Sequence, residues 1–470
     1  MSLYQKLFID GQWVESQGSQ RFSLINPATE QVCADVVMGT TEDVDKAVQA
    51  ARRAFKSWRL TSSEERARYI EKLADALHDR RDDLAQTISD SMGIPKHLAY
   101  DCQVDEPINI LRTYASRTSL MDEVEVIGNA QVFRKAIGVC ALISPWNYPL
   151  NQLIGKMAPA LAAGCTMILK PAEQTSLQDF IVAECIDAAG IPAGVVNLVP
   201  GYGPEVGAAM SAHPDVDLVS FTGSTRAGAL IAQAAAPTVK RVVQELGGKS
   251  PLIMAPDCDL NAAIECGLDD VLINTGQTCT AYTRWFVPAE KLAAVEQQIL
   301  NTIGDYKIGT DESAYIGPLV NAAQYEKVLS YIQLGQEEGA RLLTGGTEKP
   351  AGFNQGYFVQ PTVFSDVRND MRIAQEEIFG PVICLIPYTT LDDAIEMANN
   401  TVYGLASSVF AKDATEGMAI AKQLDAGLTY INGGAYNIEA PFGGMKQSGN
   451  GREFGDHGLH EYTELQAIHL

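Results

Sequence analysis

The 470-residue chain reads as an α/β protein: a doubly wound parallel sheet followed by a second α/β region. Three observations predict this. Between residues 138 and 245, five short apolar runs are separated by four stretches of helical period. Each run is closed by Pro, Gly or a single polar residue, as expected of strands buried on both faces. From about 248 to 445 the alternation resumes. The length exceeds one hydrophobic core and suits two or three domains.

The elements follow in order. Residues 7–14 read as two short strands about the Asp10-Gly11 turn. A helix begins near Thr41, with Val44, Val48, Ala51 and Phe55 on one face. The next begins at Ser62, where Glu65 predicts a capping box, and Ile70, Leu73, Ala74 and Leu77 form its stripe. Leu84, Ile88 and Met92 keep a helical period until Gly93-Ile94-Pro95 ends it. Residues 123–133 alternate in places and read as an arm outside the core, and 461–470 read as extended.

The five strands are predicted at 138–144, 165–169, 195–199, 218–221 and 241–245. Helices are predicted at 151–163, 176–189, 204–211 and 225–235. Right-handed crossovers then give a doubly wound sheet with ligand sites at the carboxyl ends of its strands. Asn147, Lys170, Glu173, Gly223, Ser224 and Glu245 all fall on that edge. In the second region, strands are predicted at 252–254, 285–287, 382–387, 407–410 and 428–431.

Composition excludes several classes. Net charge is −23, from 35 basic and 58 acidic residues, which argues against nucleic acid and anionic membranes as partners. No apolar run reaches the length of a membrane span, and residues 1–6 lack the apolar core of a signal peptide. The nine cysteines are scattered, with no CxxC and no Cys/His cluster, so no metal site is expected. A reducing cytoplasm suits them best.

Cys279, in Gly276-Gln277-Thr278-Cys279-Thr280-Ala281, follows an apolar, helix-like run and has small, polar neighbours. That placement suits a nucleophile, provided the surroundings favour thiolate. The commonest fate of a free cysteine is that of a small buried hydrophobe. None of the six histidines lies near it in sequence, so a Cys-His dyad is poorly supported. Glu245 ends an apolar strand before Gly247-Gly248, where burial would raise its pKa and make it a general base; a loop or capping acid is the plainer reading. The Asn147 amide, in Pro145-Trp146-Asn147-Tyr148-Pro149, can donate to an oxyanion or serve only in a turn. Glu173, in Lys170-Pro171-Ala172-Glu173, stands where an acid accepts from ribose hydroxyls and disfavours a 2′-phosphate. It points to NAD over NADP, against the alternative of a surface ion pair. Gly201–Gly207 has the wrong spacing for a dinucleotide fingerprint. Phe221-Thr222-Gly223-Ser224-Thr225, opening a helix, is the better phosphate contact.

Together these segments resemble the aldehyde dehydrogenase superfamily over essentially the whole chain. PWNYP (145–149), KPAEQT (170–175), FTGST (221–225), ELGGKSP (245–251), GQTCTA (276–281), EEIFGPV (376–382) and PFGGMKQSG (441–449) occur in the family's order and spacing. One such motif would be weak; seven in register are very specific. The resemblance implies the aldehyde dehydrogenase fold: a five-stranded parallel cofactor domain (1–117 and 137–247), an α/β catalytic domain (248–445) and a small β oligomerisation arm (118–136 and 446–470). It further implies NAD-dependent oxidation of an aldehyde to a carboxylic acid. Cys279 would be the nucleophile, Asn147 would hold the oxyanion and Glu245 would activate water to hydrolyse a thioester. Lys170 and Glu173 would hold the adenosine ribose, with Trp146, Gly223 and Ser224 in the same cleft. Glu377 would bind the nicotinamide ribose and Phe379 would pack near that ring. No metal is implied, and the partners would be a small-molecule aldehyde and further copies of the chain, as a homodimer or homotetramer.

For the aldehyde tunnel the expected residues are Tyr148, Asn151, Gln152, Gly155 and the 433–440 loop. Gly155 suggests a wide tunnel, and Asn151, Gln152, Asn437 and Glu439 a polar one. Three other readings compete. A CoA-acylating relative typically lacks the base, which is present. A non-catalytic homologue usually loses the nucleophile or base. A cofactor-free thiol hydrolase leaves Lys170, Glu173 and Glu377 unexplained.

Overall fold

The computed structural model describes residues 3–470. Met1 and Ser2, which open the stretch read for a leader, lie outside the described residues. The protein is built on two large mixed sheets with helices between their strands, plus a three-stranded sheet and a separate two-stranded ribbon.

The first sheet holds the five predicted parallel strands in the spatial order Arg241–Glu245, Leu218–Thr222, Val139–Ile143, Thr166–Lys170, Val196–Leu198. The first strand in sequence is therefore central, and the chain winds outward from it in both directions. Its three central strands are buried at every residue, which is why they read as unbroken apolar runs. Both edges are covered. Leu7–Ile9 and Gln12–Val14 add antiparallel strands beyond Val196–Leu198. Gly449–Asn450 pairs antiparallel with Gln244 and Glu245 on the other edge. Those two residues were expected in the oligomerisation arm; instead they close an edge that would otherwise expose unpaired backbone.

Helix Pro149–Ala163 follows the central strand and is buried along its whole length, Asn151, Gln152 and Lys156 included. A capping box does occur, at Thr40 with Asp43, at the start of Thr41–Trp58. At Ser62 only half of the expected box forms: the Glu65 N–H donates to Ser62 Oγ, and the solvated Glu65 side chain gives no return bond.

The second sheet has seven strands, not five. Arg341–Thr344 and Thr362–Ser365 were not anticipated. The first is a half-exposed edge strand and the second follows directly on Pro361, so neither shows a usable alternation. In the third sheet the hairpin Val124–Ile127 and Ala130–Ala136 pairs with Thr463–His469, joining the two stretches read as extended. No described helix is long and apolar enough to cross a membrane.

Candidate active site

The carboxyl ends of the first sheet open into a groove of about 500 Å³. Trp146, Lys170, Glu173, Gly223 and Ser224 all line it. Lys170 ends its strand buried, with Nζ donating to the Pro171 carbonyl and lying 3.6 Å from Glu173 Oε1. Burial lowers the Lys170 pKa, and the Glu173 charge opposes that. Glu173 Oε1 also accepts from the Gly203 N–H at 2.9 Å. The glycine segment with the wrong fingerprint spacing is thus tied to the Lys170–Glu173 corner. Ser224 Oγ accepts from the Ala227 N–H and caps helix Thr225–Ala235, whose N-terminus faces the groove.

A smaller cavity of about 190 Å³ continues inward, sharing Trp146, Gly223 and Ser224 with the groove. Asn147, Cys279, Glu377 and Phe379 line it, so these predicted residues do converge. Glu377 Oε1 accepts from the Gly248 N–H at 3.0 Å. A Cβ on Gly247 would stand 2.7 Å from the other carboxylate oxygen, which is why glycine is needed there. Phe379 adopts φ of 64°, a strained conformation for a bulky residue, and sets its ring edge-on to Trp146 at 5.3 Å.

Cys279 sits in a loop, not at a helix end. Helix Leu260–Leu272 stops first, and Asn274 and Thr275 turn through positive φ of 53° and 58°. Hydrogen bonds hold this strained path. Asn274 Nδ2 donates to the Asn147 and Gln277 carbonyls, Thr275 Oγ1 to Gly317, and Gln277 Nε2 to Asn274. Asn147 Nδ2 donates to the Gln277 carbonyl at 2.9 Å, which uses one of its two hydrogens. The Cys279 thiol is pushed up to about 12, first by burial and then by the charges of Glu377 and Glu245. These surroundings disfavour thiolate, so the condition stated from sequence for a ready nucleophile is not met by them.

Glu245 ends its strand buried, and neither of its carboxylate oxygens has a hydrogen-bond partner. Burial raises its pKa well above the usual carboxylate range, and the nearby Glu453 charge raises it further; Lys156 and Arg452 oppose this. Lys156 Nζ itself donates to Glu453 Oε1 at 2.6 Å and to Thr222 Oγ1.

Sequence reasoning missed Lys156, Glu453, Gln324 and Lys327. A lysine in the middle of an otherwise apolar helix was the available signal for Lys156. Gln324 and Lys327 lie a turn apart on helix Ala322–Glu337 and line the inner cavity. Nothing local in sequence marks them. Two tunnel expectations also change. A side chain on Gly155 would meet the Phe454 ring at 3.0 Å, so that space is filled. Glu439 pairs with Arg117 at 3.4 Å through a largely exposed side chain, so it adds no polarity inside.

The model of the aldehyde dehydrogenase family matches residues 13–468, and the chain belongs to that family. Within it, the chain is 47% identical to a 3-succinoylsemialdehyde-pyridine dehydrogenase of a Pseudomonas species, over 99% of this chain and 98% of that one. It superposes with a TM-score of 0.98 on a variant of aldehyde dehydrogenase C from Pseudomonas syringae, solved with NAD+ and octanal, at 47% identity over 99% and 96% of the two chains. The NAD+ complex of an aldehyde dehydrogenase from Bacillus cereus gives 0.95 at 42% identity over 99% and 96%.

Proposed function

We propose that this protein oxidises an aldehyde to a carboxylic acid with NAD, through an adduct on Cys279 that is hydrolysed by water activated by Glu245. The observation that carries this reading is the pairing of a thiol fixed in a hydrogen-bonded loop with a buried carboxylate that has no partner of its own. Cys279 lines the inner cavity, and the Glu245 charge raises its pKa.

The outer groove and inner cavity share five residues and together suit a dinucleotide. Lys170 and Glu173 would hold the adenosine ribose, the N-terminus of Thr225–Ala235 a phosphate, and Glu377 with Phe379 the nicotinamide end. NAD bound there supplies the two-electron acceptor for the oxidation. Solved relatives hold NAD+, and one also holds octanal.

The chain's own residues do the rest. The cleft favours the protonated Cys279 thiol, so the thiol releases its proton to solvent as it attacks. Sγ then bonds the carbonyl carbon, and the π pair moves to oxygen. The remaining Asn147 amide hydrogen and the Cys279 backbone N–H stabilise that oxyanion. Once the adduct is a thioester, Glu245 takes a proton from water, the water oxygen bonds the acyl carbon, and the sulfur leaves. A raised carboxylate pKa makes this carboxylate a stronger base. Trapping the acyl group on Cys279 in Glu245→Gln tests the assignment; ordinary turnover in that variant would place the base elsewhere.

The third sheet leaves Val126, Ile127, Leu465 and Ile468 exposed. These apolar residues, two on each side of the sheet, support its use as a homo-oligomerisation arm, in a dimer or tetramer. Residues 1–117 with 137–247 would form the cofactor domain and 248–445 the catalytic domain. Nine free thiols suit a reducing compartment such as the cytoplasm.

A further inference from the structure

Cys279 is the second residue of a four-residue turn, closed by the Ala281 N–H donating to the Thr278 carbonyl at 3.2 Å. The direction of Sγ and of the Cys279 N–H therefore depends on how the two ends of that turn are held. At the leading end, the Tyr148 hydroxyl lies 2.9 Å from Thr278 Oγ1. At the trailing end is the peptide unit between Ala281 and Tyr282, both buried. Its carbonyl accepts from the Thr283 N–H at 2.8 Å, and its N–H donates to Asp270 Oδ2 at 2.7 Å. The Tyr282 carbonyl then accepts from Trp285 Nε1 at 2.6 Å.

Asp270 is the charged member of this set, and it breaks a local rule. It stands beside Asp269 in the last turn of helix Leu260–Leu272, which has no basic residue there. The helix dipole disfavours acids at that end. Asp269 accepts from the Tyr306 hydroxyl at 2.7 Å. Asp270 instead reaches a backbone N–H twelve residues on, across the strained path of Asn274 and Thr275. A carboxylate holds a backbone N–H more strongly than a neutral acceptor does. Without Asp270, a buried N–H would lose its partner and the trailing end of the turn would be free to rotate. Asp270 is not among the residues that line the inner cavity, so its influence on the chemistry passes through the loop.

We propose that Asp270 is a positioning residue: its carboxylate fixes the trailing end of the turn that aims Cys279 Sγ and the Cys279 N–H at the aldehyde carbonyl. This rests on the aldehyde-oxidising reading above.

The test is single-turnover NADH formation, with enzyme and NAD in excess, which reads the steps up to hydride transfer and leaves hydrolysis out. Wild type, Asp270→Ala and Asp270→Asn are compared with whichever of acetaldehyde, octanal and benzaldehyde the wild type oxidises fastest. Asp270 is half-buried and alanine suits a helix, so the fold should be kept, with the thermal midpoint as the check. Asp270→Ala should slow the turnover about 10- to 100-fold, the cost of a misplaced reacting group, while NAD affinity by calorimetry changes less than about twofold. Asp270→Asn keeps an oxygen that can accept from the Tyr282 N–H, so its rate should return to within about fivefold of wild type. Three results would overturn the proposal: an Asp270→Ala rate within about threefold of wild type, an Asp270→Asn rate as low as that of Asp270→Ala, or a rate loss matched by lost NAD binding and a collapsed thermal midpoint. Each of these leaves aldehyde oxidation by the wild type intact. A wild type that forms NADH from none of the three aldehydes would instead remove the reading on which the proposal rests.

Discussion

The two groups placed at the chemistry are held in opposite ways. Around Cys279, hydrogen bonds tie the strained loop down: Asn147, Asn274, Thr275 and Gln277 bond one another and the neighbouring backbone, with only Asn274 Oδ1 of these side-chain atoms buried without a partner. Around Glu245, the carboxylate is buried with both oxygens unpartnered. The first arrangement fixes a position. The second keeps lone pairs free for a proton and raises the pKa. In the proposed roles, the nucleophile is given geometry and the base an unmet affinity.

Removing the positioned atom should have the largest effect. Cys279→Ala is expected to lower NADH formation by about four orders of magnitude or more, while NAD binding by calorimetry stays measurable. Retained activity would end the contrast at once. Glu245→Gln should slow turnover about 10²–10⁴-fold. The loss should fall on deacylation, so a rapid first turnover should precede the slow steady state.

Asn147→Ala tests the loop itself. It removes the proposed oxyanion donor and a bond to the Gln277 carbonyl, and kcat should fall about 10²–10³-fold. Asn147→Asp should not restore it, because a carboxylate cannot donate.

At the outer groove, Glu173→Gln should narrow the preference for NAD over NADP about tenfold, read as the ratio of their kcat/KM values. Equal use of both cofactors by the wild type would remove Glu173 from the selection.

The smallest effect is a shift in pH. Glu245 must be ionised to act, so hydrolysis should rise with pH through its raised pKa. Glu453→Gln removes the like charge that raises it and leaves Lys156, which lowers it. Both changes move the acid limb of the profile to lower pH. A shift upward would contradict the arrangement.

Much of this could be read from sequence because short-range order carries it. The five parallel strands are continuous apolar runs, and Asn147, Lys170, Glu173 and Glu245 each stand at a strand end. What could not be read depends on distant contacts. Glu453 reaches Lys156 from far along the chain. Gln324 and Lys327 reach the cleft from a helix of the second region, and Glu106 meets Asn151 from another helix. The Phe454 ring against Gly155 follows the same rule: a missing side chain shows space only if nothing else fills it. The raised Cys279 pKa could not be read either, because small neighbours in sequence do not reveal two carboxylates whose charges reach the thiol.

Intact-mass measurement of Glu245→Gln after one turnover with an aldehyde and NAD tests the central claim most directly. An acyl adduct, localised to Cys279 by peptide mapping and decaying slowly, is the predicted result. Normal turnover with no adduct, or an adduct on another residue, would contradict it.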